Sequence, residues 1–192
     1  MWWPRVSRGT RLGVGPAGRI AAVLALSAVL TGCFQPLYSD RSPTGGPTVR
    51  AELAQVDITQ IAAPNGTPLS RLAVEVRNSL VFGFTGGGYA PPPTHKLDIV
   101  LTSSELSVLV DIRTGRPDVN NAALNAIYRL TDLRTGKVVL TDQTFARVSY
   151  DIPGQQQRFA RQRGLRDAEN RAAKVIAENI QNRLASYFVA GT

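Results

Sequence analysis

Residues 121–150 read NAALNAIYRLTDLRTGKVVLTDQTFARVSY, and their pattern predicts two strands joined by a short turn. In the first half apolar residues alternate with polar ones, so one face of the strand carries Ala122, Leu124, Ala126, Tyr128 and Leu130. Residues 133–137 form the connection, in which Gly136 is the residue most able to adopt a positive φ. Residues 138–150 then return antiparallel. The stretch therefore predicts a β-hairpin whose apolar face needs a covering layer.

The segment before the hairpin also has the two-residue period of a strand, starting at His95. Its apolar residues fall first on odd positions, from Leu97 to Leu101, and then on even positions, from Leu106 to Val110. This change predicts one long strand with a β-bulge or a corner at residues 103–104. Residues 113–117 are then expected to form a loop.

Two segments have apolar residues spaced three and four apart, which indicates amphipathic helices. The first begins after a turn at residues 64–66, with Thr67 as its N-cap and Pro68 in its first turn, and it is expected to end near Phe82. The second is the last segment of the chain. Its stripe contains Leu165, Ala168, Ala172, Val175, Ile176, Ile180, Leu184 and Phe188. Four arginines between positions 158 and 166 surround its start, so it begins either among them or after Gly164.

A further apolar segment, residues 48–61, is interpreted as a strand. The predicted order of elements is therefore β-α-β-β-β-α. Two helices packed on one face of a four-stranded mixed sheet would bury every apolar stripe. The sequence thus predicts a single α+β domain over residues 48–192, with the last three strands antiparallel.

The first 33 residues have the layout of a bacterial secretory signal. Four arginines and no acid precede the apolar run of residues 20–30, and Leu30-Thr31-Gly32-Cys33 follows it. Eleven residues are too few to span about 30 Å of hydrocarbon, which needs roughly 20. The Leu-Thr-Gly-Cys pattern resembles the lipobox of bacterial lipoproteins, in which cleavage precedes an acylated cysteine. We therefore expect a signal peptide over residues 1–32, lipid attachment at Cys33 and an extended tether over residues 33–47.

The net charge and the counts of histidine and cysteine limit which kinds of binding partner and of metal or catalytic site are expected. The formal charge of +8 at pH 7 falls to +4 without residues 1–32, which hold four of the 22 cations and none of the 14 acids. Export and this modest charge argue against a nucleic-acid partner and suit anionic lipid or an acidic protein. His95 and Cys33 are the only residues of their types, which is too few for a metal site. We expect no enzyme activity, metal or cofactor.

Cleavage before Cys33 would leave Cys33-Phe34-Gln35-Pro36-Leu37-Tyr38 at the start of the mature chain. This start, the length and the element order resemble the LptE family of lipopolysaccharide-assembly lipoproteins in its alphaproteobacterial form. The resemblance implies a non-catalytic, lipid-anchored protein of the outer membrane. Such a protein plugs and helps to assemble a large β-barrel partner, LptD, and binds lipopolysaccharide during its insertion into the outer leaflet.

The resemblance also implies lipopolysaccharide binding by basic loop residues at one end of the domain. Two basic pairs are available: Arg113 and Arg116 precede the hairpin, and Arg134 and Lys137 flank its tip. Guanidinium and ammonium groups suit the phosphates of lipid A, so these four residues are the expected ligand-binding set. Basic turns that are merely solvated remain the alternative.

Two other functions fit the same features of the sequence. An auxiliary lipoprotein of an envelope lipid-transport ABC system would also be a lipid-anchored α/β module. A structural scaffold lipoprotein would have no lipid ligand. The identity of a co-purifying membrane protein separates the first from an LptE-like function, and affinity for lipopolysaccharide separates the second.

Overall fold

A computed structural model describes residues 46–111, 116–151 and 158–190. In chain order the elements are α1 (Val49–Ala54), β1 (Val56–Ile58), α2 (Pro68–Thr85), β2 (His95–Asp111), β3 (Arg116–Asp132), β4 (Val138–Asp151) and α3 (Arg158–Ala190). The strands form one sheet in the order β1-β2-β3-β4, with β1 parallel to β2 and the other neighbours antiparallel. The predicted α+β class and four-stranded mixed sheet are confirmed.

The strand predicted over residues 48–61 is wrong in its first half, which is the short helix α1. The Thr48 hydroxyl caps this helix by accepting a hydrogen bond from a backbone N–H three residues later, at 3.2 Å. Val49 and Leu53 are four residues apart, so a helix brings both to the core. Only β1 follows the period of a strand. The domain thus has a third helix beyond the two predicted.

The predicted start of α2 is confirmed, whereas its end lies three residues later than expected. Thr67 accepts a hydrogen bond from Ser70 N–H at 3.3 Å. Gly86 ends the helix with a φ of 65°, and its N–H donates to the carbonyl four residues earlier at 2.7 Å. Gly83 stays inside the helix because its missing side chain leaves room for Gln181 of α3.

The predicted bulge at residues 103–104 is wrong. β2 and β3 pair without interruption there, and the shifts of register lie farther along, at Ser107/Leu109 and Leu109/Val110. Glu105 keeps to the helix-facing side of β2, whereas Leu106 is half exposed on the other side. The strand therefore keeps its frame as far as Ser107, and the polar residues at 103–105 mark a change of polarity on the covered face.

Both long helices cover one face of the sheet and enclose the core. The buried residues of α3 are Ala168, Ala172, Ala173, Ile176, Ala177, Ile180, Leu184 and Ala185. Most of them are alanine, which allows the helix to lie close to its neighbours. Arg71 of α2 pairs with Glu169 of α3, and Arg183 of α3 pairs with Asp142 of β4 at 2.9 Å. No helix within the described residues combines the length and apolarity needed to cross a membrane.

Gly164 in the second turn of α3 is the position where we expect a single substitution to stabilise the domain. A Cβ there would lie 3.5 Å from Cδ2 of Tyr150, which is an ordinary contact. Alanine restricts the unfolded chain and favours the helix, so Gly164→Ala should raise the free energy of unfolding by about 0.5–1 kcal/mol in urea denaturation. Gly83→Ala is the matched control, because its Cβ would overlap with Oε1 of Gln181. Equal gains at both positions would contradict the prediction.

Candidate functional site

Arg116 lies at the opposite end of the sheet from Arg134 and Lys137. At one end of the β2–β3 ladder Arg116 pairs with Asp111, and at the other end Asp132, just before the hairpin loop, pairs with His95. The 17 residues of β3, at about 3.3 Å each, separate these ends by roughly 50 Å. One lipid headgroup therefore cannot contact both Arg116 and the hairpin pair.

Of the pair before the hairpin, Arg116 belongs to the described residues and Arg113 lies outside them. Arg116 and Pro117 belong to β3 and not to the predicted loop, because the pairing of β3 with β2 continues as far as Asp111.

Asp132 organises the turn that carries Arg134 and Lys137. Its Oδ1 accepts hydrogen bonds from Arg134 N–H at 2.7 Å and from Thr135 N–H at 3.0 Å. Gly136 has the predicted positive φ, 68°, and its N–H donates to the Asp132 carbonyl at 2.8 Å. These bonds, that of Thr135 first, hold the pKa of Asp132 below its ordinary value. The two cations thus extend from an ordered turn.

Both cations are open to solvent. The side chain of Arg134 is 86% exposed, and its guanidinium lies 4.0 Å from Asp132, which is a weak surface contact. Lys137 is also exposed, and no carboxylate within the described residues forms an ion pair with it. Both cations can therefore bind an external anion without first breaking a strong bond within the chain.

Exposed apolar side chains lie at the same end of the domain. They come from the end of α2, the loop after it, the hairpin and the last turn of α3: Phe82, Tyr89, Leu133, Val138 and Val189. Contacts tie these segments together. Leu133 N–H donates to the Thr94 carbonyl at 2.9 Å, and the rings of His95 and Phe188 lie 5.3 Å apart. We call this surface, with Arg134 and Lys137, the hairpin end.

The chemistry of the hairpin end suits an anionic amphiphile. Charge-assisted hydrogen bonds from arginine and lysine contribute roughly 1.5–3 kcal/mol each. Apolar surface removed from water adds about 25 cal/mol per Å². No group of His, Cys, Asp or Glu in the described part of the chain is arranged to hold a metal ion.

A polar cluster at the opposite end was not predicted from the sequence. Glu105 accepts hydrogen bonds from Asn120 at 2.6 Å, from the Tyr150 hydroxyl and from Arg161 at 3.4 Å. Partial burial of Glu105 raises its pKa. The hydrogen bonds lower it, with that of Tyr150 having the largest effect, and they outweigh burial, so the pKa lies below its ordinary value. These hydrogen bonds hold the first turn of α3 against the sheet. Arg161 is thus paired with Glu105 within the chain.

Comparison with known proteins decides the family. The profile described as lipopolysaccharide-assembly, LptE, matches residues 53–184. The chain belongs to the LptE family. The match covers all four strands and α2. It does not include residues 33–38, so the predicted membership is confirmed by the domain and not by the start motif. No curated protein matches the LptE-family chain in sequence.

Three solved structures whose proteins are designated lipoproteins have the same fold. A Caulobacter crescentus protein designated a lipoprotein is 24% identical, with a TM-score of 0.53 over 75% of this chain and 97% of that one. Rare lipoprotein B from Shewanella oneidensis is 14% identical, with a TM-score of 0.51 over 70% and 96% of the two chains. Lipoprotein B from Nitrosomonas europaea is 14% identical, with a TM-score of 0.52 over 71% and 84%. These similarities establish a common fold.

Proposed function

We propose that this LptE-family chain is a non-enzymatic outer-membrane lipoprotein that plugs and helps to assemble an LptD-type β-barrel and binds lipopolysaccharide during its insertion into the outer leaflet. Family membership supports the role in lipopolysaccharide assembly. One observation carries the binding step: Arg134 and Lys137 stand beside exposed apolar side chains at the hairpin end. Lipid A has the matching combination of phosphates and acyl chains.

The proposed membrane attachment is compatible with this placement of the site. The proposal includes removal of residues 1–32, acylation of Cys33 and a tether over residues 33–47 that precedes the folded domain. Directly after α1 the Gln55 carbonyl accepts a hydrogen bond from Thr94 N–H at 2.9 Å, beside the start of β2 and the hairpin end. Fifteen extended residues reach at most about 50 Å. A tether of this length is long enough to let the hairpin end reach the membrane that holds the acyl chains.

Reversing the two cations should weaken binding of lipopolysaccharide at least about tenfold. Arg134→Asp with Lys137→Asp removes two charge-assisted contacts and adds repulsion, and each 1.4 kcal/mol corresponds to a factor of ten. Displacement of labelled lipopolysaccharide from the detergent-purified chain measures the affinity. Thermal unfolding should change little, because both side chains are exposed.

Arg113→Asp with Arg116→Asp makes the same change of charge in the segment that joins β2 to β3. This control should retain most of the affinity. If the control loses affinity and the hairpin pair keeps it, the ligand binds at the other end. If neither double variant loses affinity, basic loops do not bind the ligand, and a scaffold function is favoured.

A further inference from the structure

The face of the sheet turned away from α2 and α3 has no helix packed on it within the described residues. We call it the open face; it consists of the even-numbered residues of β2 and the odd-numbered residues of β3 and β4, up to Leu106, Asn121 and Ser149 respectively. Half of its exposed side chains are uncharged hydroxyls and amides, such as Thr102, Ser104, Asn125, Thr141 and Gln143. The polar half of this surface is suited to contact with another polar surface.

An apolar row crosses the open face. Val100 of β2 is the direct cross-strand neighbour of Ile127 in β3, and Phe145 of β4 lies diagonally beyond it. These three side chains are between 50% and 64% exposed. Direct and diagonal neighbours on one sheet face lie within contact range of large side chains. The row is therefore a continuous apolar strip across the three long strands, and exposed strips of this kind mark interaction surfaces.

Two arginines on the open face lack an acidic partner in the described part of the chain. Arg129 stands opposite Asp98, but Asp98 pairs with Lys96 at 3.2 Å. Arg147 lies over the ring of Phe145, with its guanidinium carbon 5.6 Å from the ring centroid. Both guanidinium groups stay available to carboxylates from outside. The surface that covers the open face should thus be polar and acidic.

We propose that the open face docks against the inner wall of the β-barrel partner and that Arg129 and Arg147 pair there with carboxylates of the barrel. This inference rests on the proposed function. The interior of a large membrane barrel is polar, and two sheets pack face to face about 10 Å apart. The apolar row would form the centre of the contact, from which water is excluded. The arginines would pair with opposite charges and fix how the two surfaces are aligned.

Two other occupants fit the open face less well. A second copy packed face to face would bring the same unpaired arginines towards each other, and like charges oppose such a contact. A lipid acyl layer would cover the hydroxyl and amide groups without offering hydrogen bonds, which is costly for each group. A polar barrel wall avoids both difficulties.

The test is capture of the barrel by the tagged full-length chain, co-expressed with the LptD-type protein of the same host and extracted in detergent. Arg129→Glu with Arg147→Glu should reduce the recovered barrel at least about tenfold, and Ile127→Asp should act in the same direction. Arg163→Glu with Arg166→Glu is the matched control, since it reverses two exposed cations on α3. Retained affinity for lipopolysaccharide shows that each variant is folded.

The possible results of this experiment distinguish failure of the docking inference from failure of the proposed function. If the unmodified chain captures no barrel, the proposed function fails and the docking inference fails with it. If the unmodified chain captures the barrel and the open-face variants do so equally well, only the docking inference is overturned. It is also overturned if the open-face variants change self-association or vesicle binding while barrel capture is unchanged.

Discussion

Cys33→Ser should abolish lipid attachment and transfer the protein from the detergent phase to the aqueous phase. The sole thiol of the chain stands directly after Leu-Thr-Gly and an apolar run, where the proposed acylation occurs. Each buried CH₂ contributes about 0.8 kcal/mol, and two or more acyl chains hold a protein stably at a bilayer. Phase partition in a cloud-point detergent and the intact mass of protein from a Gram-negative host measure the effect. The unmodified chain should start at Cys33 and carry the mass of its acyl groups.

A relocated thiol provides the control for this experiment. Cys33→Ser with Ser39→Cys restores one cysteine six residues later, without the preceding Leu-Thr-Gly. This protein should also stay in the aqueous phase, because the lipobox pattern and not the thiol alone directs acylation. Acylation at position 39 would contradict that interpretation. An unmodified chain that keeps residues 1–32 and carries no lipid would remove the lipoprotein proposal.

Ile180→Ala should lower the free energy of unfolding by about 2–5 kcal/mol, the range for large-to-small changes in a core. Ile180 is fully buried at the centre of the core formed by α3, α2 and the sheet. The loss combines apolar transfer with the cavity that remains, because close-packed neighbours relax only in part. Domains of this kind are stable by about 5–15 kcal/mol, so one substitution removes a large share. Urea denaturation followed by circular dichroism measures the change.

Val175→Ala on the same helix is the control for this effect. Val175 was predicted on the apolar stripe, but it is 38% exposed at the margin of that stripe. Alanine also has the higher helix propensity, which offsets part of the lost contact. We therefore expect a change within about 0.5 kcal/mol. A loss at Val175 equal to that at Ile180 would mean that α3 is rotated relative to its placement on the sheet.

Features set by neighbouring residues were predicted correctly. The alternation in residues 121–130 and the position of Gly136 predicted the hairpin, and Thr67 predicted the start of α2. The α+β class followed from these elements, and the family followed from them and from the motif at residues 33–38. Each of these features depends on a local period, on a cap or on the φ of one residue.

Features that depend on distant contacts were missed. α1 has only six residues, too few to be stable alone, so its packing decides between helix and strand. The polar residues at the end of β2 suggested a bulge because their partners were unknown. Glu105 accepts hydrogen bonds from residues that lie 15, 45 and 56 positions later in the sequence, and no local motif predicts such a cluster.

The sequence alone determined which side chains share a face, because the periods of 2 and 3.6 residues assign faces from nearest neighbours. It also identified two basic pairs, Arg113 with Arg116 and Arg134 with Lys137, as candidates for binding an anion. Only the tertiary structure decided that Arg116 lies at the opposite end from Arg134 and Lys137, and that Arg129, Arg147 and the apolar row share an uncovered face. Those relations depend on strand register, on the length of the ladder and on the side that the helices cover. Long-range pairing sets all three, and the local periods of the sequence do not specify it.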